Sequence, residues 1–155
     1  MTDGDTVAAS ERAALGWGLG LVPVTESGLG WDLSWDAAAG GARRLALVEG
    51  VSNLAQDLAV ALLTPLGADP FDTGFGFAGL SVLTLDVPPA LAEELLRLSI
   101  QATLVADARV REVTDVALER VKADDPSDRR RVVRAGVRTV ISRDASVSVE
   151  GMSLT

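Results

Sequence analysis

The chain of 155 residues contains no cysteine, no histidine and no tyrosine. Without cysteine there is no disulfide, no thiolate nucleophile and no zinc finger, and without histidine there is no Ser-His-Asp triad and no imidazole base. Any metal would have to bind through carboxylate and carbonyl oxygens. The enzyme classes that depend on these groups are therefore excluded, and no cofactor is expected.

Aromatic residues are also scarce, at 4% of a chain that is 48% hydrophobic, so the core must be built from aliphatic side chains. The length suits one domain of ordinary size. The net charge of -8 argues against nucleic acid as a partner, because an acidic surface repels phosphates. This charge is uneven, since residues 1–86 carry 11 acids and 3 bases and residues 87–155 carry 11 of each.

No targeting or membrane segment is visible. The N-terminus reads Met-Thr-Asp-Gly-Asp, which is acidic where a signal peptide is basic. The longest apolar run, near residues 58–63, is far shorter than the roughly 18 residues of a membrane span. These features predict synthesis in the cytoplasm, no signal peptide and no direct insertion into a membrane.

The first 43 residues are rich in glycine and predict an extended arm with short strands. Within it, the alternating stretch at residues 31–35 places Trp31, Leu33 and Trp35 on one face of a strand. A further short strand is expected over residues 43–48, and we find no internal repeat. The sequence is thus interpreted as an arm at residues 1–43 followed by a domain at residues 44–155.

Two amphipathic helices are predicted next. The first covers residues 51–62, where apolar residues recur at three- and four-residue spacing, and Ser52 or Asn53 is expected to cap it. The second opens at Pro88 and Pro89, where proline suits the first turn. Its predicted buried stripe consists of Leu91, Leu95, Leu98 and Ala102, widened by Leu96, Ile100 and Leu104.

From residue 109 the apolar period becomes two, which predicts strands over residues 110–121, over 130–141 and from 145 to 149 or 154. A bulge is expected near Val113. The fold class is therefore α+β, with two or more amphipathic helices followed by a C-terminal antiparallel meander and preceded by the glycine-rich arm. The last strand carries no charge from Ala145 to Val149, and such an edge can pair with a strand of another chain.

Paired carboxylates are the main catalytic tool that this composition leaves. Glu93 and Glu94 are neighbours on a helix and point about 100° apart, so they cannot flank one glycosidic bond. Asp69 and Asp72 lie in a loop, where aspartate is typical of turns. Because no carboxylate pair stands out, the sequence predicts no catalytic residue, no metal ligand and a non-enzymatic role.

Several motifs follow one another between residues 44 and 142. They are Leu45-Ala-Leu-Val-Glu-Gly50, Asn53-Leu-Ala-Gln-Asp-Leu58, Leu62-Leu-Thr-Pro-Leu-Gly67, Phe75-Gly76, Gly79-Leu80, Ile100-Gln101 and Asp107-Ala-Arg-Val110. In this order and spacing they resemble the baseplate wedge subunit of contractile tails. This is the lysozyme-like wedge family of T-even phages, with counterparts in type VI secretion and in extracellular contractile injection systems.

The resemblance implies a structural subunit that joins the baseplate wedge to the sheath and templates the first sheath ring. In the family, a Glu-Pro-Arg triplet before the first strand contacts the helical bundle of the larger wedge proteins. The matching triplet here is Asp107, Ala108 and Arg109, with alanine in place of proline. The resemblance also implies that C-terminal strands join the sheath by strand exchange. The residues expected in that contact are Val132, Val133, Arg134, Val137, Arg138, Val140, Val147 and Val149.

Further partners implied by the resemblance are hub, spike or tube components of a six-fold symmetric particle, which is retained in the cytoplasm or released. Two other functions stay open. A lysozyme-like enzyme that hydrolyses glycans predicts a cleft with two facing carboxyl groups. A generic protein-interaction adaptor predicts a self-contained sheet with a blunted edge, whereas a sheath initiator predicts an exposed C-terminal strand and a meander without a deep polar pocket.

Overall fold

A computed structural model describes residues 3–23, 31–38, 41–120 and 130–153, in which a first helix is followed by six short strands, two further helices and three long strands. The described residues form three α-helices and several antiparallel strands, so the fold is mixed α and β, as predicted. No helix among them has the length and apolar character that a membrane span requires.

The elements have the following bounds. The helices are α1 (Asp3–Leu15), α2 (Gly50–Leu63) and α3 (Pro89–Val105), and a 3-10 helix covers Ala78–Thr84. The short strands are β1 (Trp17–Leu19), β2 (Leu21–Pro23), β3 (Trp31–Leu33), β4 (Trp35–Ala37), β5 (Arg43–Leu45) and β6 (Leu47–Glu49). The long strands are β7 (Val110–Arg120), β8 (Arg130–Thr139) and β9 (Asp144–Ser153).

The three long strands form one antiparallel sheet in the order β7–β8–β9. The bulge predicted near Val113 is confirmed, because the β7–β8 register shifts between Val110 and Glu112 and again between Val113 and Asp115. Strand β8 alternates as its sequence indicates, with one face turned to the core. The buried residues on that face are Val133, Ala135, Val137 and Thr139.

Helices α2 and α3 cover this sheet, and the core lies between them. Helix α2 packs against β9, and α3 packs against β7. Leu54 and Leu58 of α2 and Ile100 of α3 are at most 1% exposed. Among the described core residues Phe77 is the single aromatic, in line with the aliphatic core that the composition predicts. Burial of this aliphatic surface, at roughly 25 cal/mol per Å², supplies the main favourable contribution to folding.

The buried stripe of α3 is shifted from the predicted one. The helix begins at Pro89 after the N-cap Pro88, as expected. Its buried residues, however, are Leu96, Ile100 and Leu104. The predicted stripe is largely exposed, with Leu91 at 47% and Leu98 at 53% exposure and Ala102 also exposed. Both sets have helical spacing, so periodicity alone could not choose between them.

The prediction of an extended N-terminal arm is wrong for residues 3–15, which form α1. Five of these residues are alanine or leucine, which have a high intrinsic helix propensity. Most of the helix is exposed, however, and its apolar residues show no clear helical period. The helix ends at Gly16, whose N–H donates to the Arg12 carbonyl at 3.0 Å with a φ of 81°. Leu15 is fully buried in the same core as α2 and α3.

Helix α2 begins at Gly50, so the predicted cap at Ser52 or Asn53 is wrong. The N-cap residue is Glu49, whose side chain makes no capping hydrogen bond. Gly50 has a φ of 62° and lies against Glu11 of α1, with 3.3 Å between the Glu11 Cβ and the position that a Cβ would take. A glycine is therefore needed where the chain turns into α2 beneath α1.

Residues 17–23, 31–37 and 43–49 form a unit that we call the β-triangle. Each of these three segments is bent at its middle residue and pairs with one neighbour before the bend and with the other after it. The middle residues are Gly20, Ser34 and Ala46, and they close a ring of backbone hydrogen bonds. The donations run from Gly20 to Ala46 (2.8 Å), from Ala46 to Ser34 (2.9 Å) and from Ser34 to Gly20 (2.7 Å).

The β-triangle corrects two predictions. The strand expected over residues 43–48 is two strands separated by Ala46, and the alternating stretch at residues 31–35 is likewise divided at Ser34. The β-triangle also contains a short repeat, although no internal repeat was predicted. In each copy a small residue lies between two large apolar residues. The copies are Leu19-Gly20-Leu21, Leu33-Ser34-Trp35 and Leu45-Ala46-Leu47.

Little space is left for larger side chains at the centre of the β-triangle, because the three bends converge there. A Cβ placed on Gly20 would lie 3.4 Å from the Ala46 Cβ and 3.5 Å from the Ser34 Cβ. Gln56 connects α2 to the β-triangle. Its side chain accepts a hydrogen bond from the Leu21 N–H and donates one to the Leu19 carbonyl, each at 2.8 Å. One side-chain amide thus satisfies two backbone groups of the β-triangle.

Candidate functional site

The turn between α3 and β7 carries the predicted triplet of Asp107, Ala108 and Arg109. Asp107 Oδ1 accepts hydrogen bonds from the Arg109 backbone N–H and from Arg109 Nε, both at 2.9 Å. Asp107 Oδ2 accepts one from Arg109 Nη2 at 2.6 Å. The carboxylate therefore binds the guanidinium through both oxygens, a geometry that only arginine offers. This pair fixes the turn from which β7 starts.

Arg109 also reaches two other elements. Its Nη1 donates to the carbonyl of Leu15, the last residue of α1, at 2.8 Å and to Asp57 Oδ2 on α2 at 2.9 Å. Four of the five N–H donors of the guanidinium are thus bound within the described chain. With 26% of its side chain exposed, Arg109 joins α1, α2 and the turn after α3.

Asn53 completes this group, which we call the Arg109 cluster: Leu15, Asn53, Asp57, Asp107 and Arg109. The Asn53 Nδ2 donates to the Leu15 carbonyl at 3.2 Å and to Asp57 Oδ2 at 3.1 Å. Its Oδ1 has no hydrogen-bond partner in the described chain and lies under β1. The sequence suggested Asn53 as a cap, whereas the structure buries it as a link between α1 and α2.

The electrostatics of the cluster favour its charged forms. The side-chain hydrogen bond from Arg109 is the largest cause that lowers the pKa of Asp107, and the Arg109 backbone N–H and positive charge act in the same direction against partial burial. Conversely, the hydrogen bond to Asp107 raises the pKa of Arg109, supported by Asp57 and opposed by desolvation. Asp107 therefore holds no proton near neutral pH.

This lowered pKa predicts that the protein loses stability in acid. A carboxylate with a depressed folded-state pKa stabilises the fold fully above its unfolded pKa of about 3.9, and the contribution is lost as the pH falls through the folded-state value. Urea unfolding between about pH 6 and pH 2.5 should show a free energy of unfolding that falls below about pH 4. The Asp107→Asn variant should show a shallower fall, and an equal slope in both proteins would contradict the assignment.

A cleft of about 470 Å³ opens beside the Arg109 cluster, and we call it the acidic cleft. Its apolar wall is formed by Leu21, Leu58, Val60, Ala61 and Phe75. Its polar lining is formed by Gln56, Asp57, Asp72, Thr103, Asp107 and Arg109. Strands β7, β8 and β9 contribute none of the described lining, which comes from β2, α2, α3, the loop after α2 and the turn after α3. Across the described residues, no group of three acidic side chains is placed to hold a metal ion.

The residues predicted to contact the sheath fall into a buried set and an accessible set. Those buried against the helices are Val133, Val137 and Val147. Those at least partly accessible are Val132, Arg134, Arg138 and Val140. Val149 pairs with Val133 along the backbone, and its side chain lies outside the described part of the structure. A partner strand would therefore meet backbone groups and the outer face rather than the buried valines.

Strand β9 forms an open edge. It pairs with β8 on one side, and no strand of the described chain pairs with its other side. Ser146 and Ser148 are exposed along it, while Ala145 is buried. The turn that leads into β9 is held by an ion pair between Arg143 Nε and Glu11 Oε1 at 2.9 Å. Within the described chain this edge is unpaired, and it carries no charge between Asp144, the first residue of β9, and Glu150.

Comparisons with known proteins give one fold-level result. No protein-family model matches the chain. No curated protein matches its sequence. Among solved structures, a match is the crystal structure of a Geobacter sulfurreducens protein that carries the provisional name tail lysozyme, with a TM-score of 0.51 and 15% identity over 63% of this chain and 86% of that chain. The two chains share a fold.

This shared fold agrees with the predicted resemblance to phage tail-like baseplate proteins at a coarse level. At 15% identity it concerns the fold alone.

Proposed function

We propose that this chain is a structural baseplate subunit of a contractile injection system, which joins the wedge to the sheath and templates the first sheath ring. The open edge of β9 is the observation that carries the proposal. The fold shared with a protein named as a tail lysozyme supports a place in a tail-like particle. In this function the chain acts through contacts and catalyses no reaction.

Templating would work through backbone hydrogen bonds. An edge strand presents a row of N–H and C=O groups to which a strand of a second chain can add. Because β9 is held by β8 on one side and by the Arg143–Glu11 ion pair at its start, an added sheath strand would take a fixed position relative to this domain. The exposed Ser146 and Ser148 are small and uncharged, and β9 carries no charge from residue 145 to residue 149.

The wedge contact would form around the turn that carries the triplet. Ala108 is exposed there, whereas Asp107 and Arg109 are largely engaged with each other and with α1 and α2. On this proposal the two charged residues hold the turn in shape, and the larger wedge proteins contact its exposed surface. Hub, spike or tube components would be neighbours in a six-fold symmetric particle that is assembled in the cytoplasm, without nucleic acid and without membrane insertion.

The hydrolase alternative is not favoured by the carboxylates of the acidic cleft. A glycosidase needs one carboxyl group with a raised pKa to act as an acid. Arg109 instead lowers the pKa of Asp107 and also binds Asp57. The adaptor alternative predicts a blunted edge, whereas β9 carries no proline and no charge between residues 145 and 149.

A test of the proposal is to place charge on the β9 edge without disturbing the core. The double variant Ser146→Lys, Ser148→Lys changes two exposed side chains, so we expect a folded protein that enters baseplates but does not start sheath assembly. The matched control is Ser10→Lys with Ser52→Lys, two exposed serines on α1 and α2. Electron microscopy of particles would measure sheath length, and full-length sheaths on the β9 variant would refute the proposal.

A further inference from the structure

The acidic cleft has unbalanced charge over an apolar wall. Three carboxylates line it, and Arg109 is the one base in its described lining. Asp57 is 40% exposed and uses Oδ2 for both Asn53 and Arg109, so that within the described chain no donor binds its Oδ1. Asp72 uses Oδ1 for the Gly74 N–H at 3.0 Å, and no described group binds its Oδ2. Two carboxylate oxygens are thus open to a cation from outside.

An exposed aromatic side chain stands next to the cleft. Phe71 is 98% exposed, and it lies in the loop that supplies Asp72 and Phe75 to the cleft. A hydrogen bond orders the tip of the loop, where the Phe71 N–H donates to Asp69 Oδ1 at 2.8 Å. A second hydrogen bond orders its base, where the Gly67 N–H donates to the Phe75 carbonyl at 3.2 Å. The aromatic ring is therefore held out into water by an ordered backbone.

Such a ring is well suited to binding a partner. Aromatic side chains dominate interface energetics because they bury a large area with few rotatable bonds. An ordered loop has already lost most of the conformational entropy that binding would otherwise cost. The acidic cleft beside it supplies the complementary part, a concave surface that combines apolar contact with negative charge.

We propose that Phe71 and the acidic cleft form one docking surface for a protein segment that carries a basic side chain flanked by apolar residues. The base contacts Asp57 and Asp72, its apolar neighbours cover Leu21 and Phe75, and Phe71 inserts into an apolar pocket of the partner. The negative charge repels phosphates, which disfavours nucleic acid and lipid headgroups. The identity of the partner, a larger wedge protein, rests on the proposed function. It is chosen because Asp107 and Arg109 of the triplet line the same cleft.

The charge preference can be tested without any knowledge of the partner. The full chain labelled with ¹⁵N would be titrated by NMR with acetyl-Leu-Arg-Leu-amide and with the same peptide bearing neutral citrulline in place of arginine. We expect shifts at cleft residues such as Gly74 and Thr103, with an affinity for the arginine peptide about 3-fold higher. Equal affinities, or shifts spread over the surface, would overturn the proposal.

Two aspartates of one loop give a matched pair for this titration. Asp72→Asn removes the cleft charge and keeps the oxygen that binds the Gly74 N–H, whereas Asp69→Asn makes the same change outside the cleft lining. The first variant should bind the arginine peptide about 3-fold more weakly, and the second should bind it as the wild type does. Equal losses in both variants would count against a site in the cleft.

A second experiment addresses the partner. A photo-crosslinking phenylalanine at position 71 should, in purified particles, attach to a segment of a wedge protein that contains lysine or arginine next to apolar residues. Crosslinking to the sheath, or to no component of the particle, would overturn the docking assignment. If the chain is found in no contractile particle, the proposed function fails, while the peptide titration still decides whether the cleft binds a basic segment.

Discussion

Replacement of Arg109 by alanine should lower the free energy of unfolding by about 2–4 kcal/mol. The guanidinium makes four hydrogen bonds to three parts of the chain. Its loss leaves Asp107 Oδ2 without a donor in the described chain and removes the positive charge that balances Asp107 and Asp57, while Asn53 still donates to Asp57 and to the Leu15 carbonyl. The expected loss is smaller than for a fully buried ion pair because 26% of the Arg109 side chain is exposed. Since domains of this size are stable by only about 5–15 kcal/mol, the change is a large one.

The matched control for this prediction is Arg138→Ala. Arg138 also contacts two carboxylates, Glu112 at 3.2 Å and Asp144 at 3.1 Å, but these side chains are 43–76% exposed. Exposed pairs contribute about 0–1 kcal/mol each, so Arg138→Ala should unfold at nearly the wild-type urea midpoint. Similar midpoint shifts for both variants would show that Arg109 has no special structural role.

The lower stability expected for Arg109→Ala would also affect its assembly into baseplates. Arg109→Ala should reduce incorporation into baseplates, as the family resemblance implies for the triplet, but part of that loss would come from a weakened fold. The conservative variant Arg109→Lys keeps the charge and loses the two-oxygen contact with Asp107. Incorporation measured alongside the unfolding midpoint of each variant separates a structural role of the triplet from a direct contact.

Gly76→Ala should lower the free energy of unfolding by about 3–5 kcal/mol. Gly76 has a φ of 113°, and a Cβ there would lie 2.7 Å from the Thr64 carbonyl oxygen and 2.8 Å from that of Pro65. Both obstacles are backbone atoms at the end of α2, so the loop itself must move. Thermal or urea unfolding followed by circular dichroism would measure the loss.

The control for the glycine prediction is Gly67→Ala in the same loop. Gly67 has a φ of 78°, but the nearest atom to its added Cβ is the Thr73 carbonyl oxygen at 3.7 Å. This variant meets only the conformational cost of a positive φ, about 1–2 kcal/mol. An equal loss in the two variants would mean that the close approach at Gly76 contributes nothing.

The sequence predicts the elements whose periodicity is strong and whose neighbours are local. Strands β7 and β8 alternate clearly, and the bulge near Val113 and the start of α3 at Pro89 follow from local rules. Helix α1 was missed because it is stabilised by alanine propensity and by its end, where Leu15 enters the core, rather than by a long apolar stripe. In α3 two apolar stripes compete, and tertiary packing against β7, α2 and the 3-10 helix selects one of them.

The site was predictable in part. Asp107 and Arg109 were found through the family resemblance, and residues two apart in one turn can be expected to interact. Arg109 also binds Leu15 and Asp57, which lie 94 and 52 residues away from it in the sequence. Contacts over such distances cannot be predicted from a local sequence pattern. The β-triangle was missed for a similar reason, because Gly20, Ser34 and Ala46 are recognisable as equivalent only once the strands have bent towards one another.

The ring of hydrogen bonds in the β-triangle has a consequence for the order of folding. Each ladder there is three residues long on either strand, too short to persist as an isolated hairpin. Because every segment is shared between two ladders, loss of one segment leaves only one ladder paired. We therefore expect the three segments to form and dissolve together, and to depend on α2, because Gln56 binds the Leu19 carbonyl and the Leu21 N–H. Residues 17–23, 31–37 and 43–49 are thus expected to order as one cooperative unit during folding.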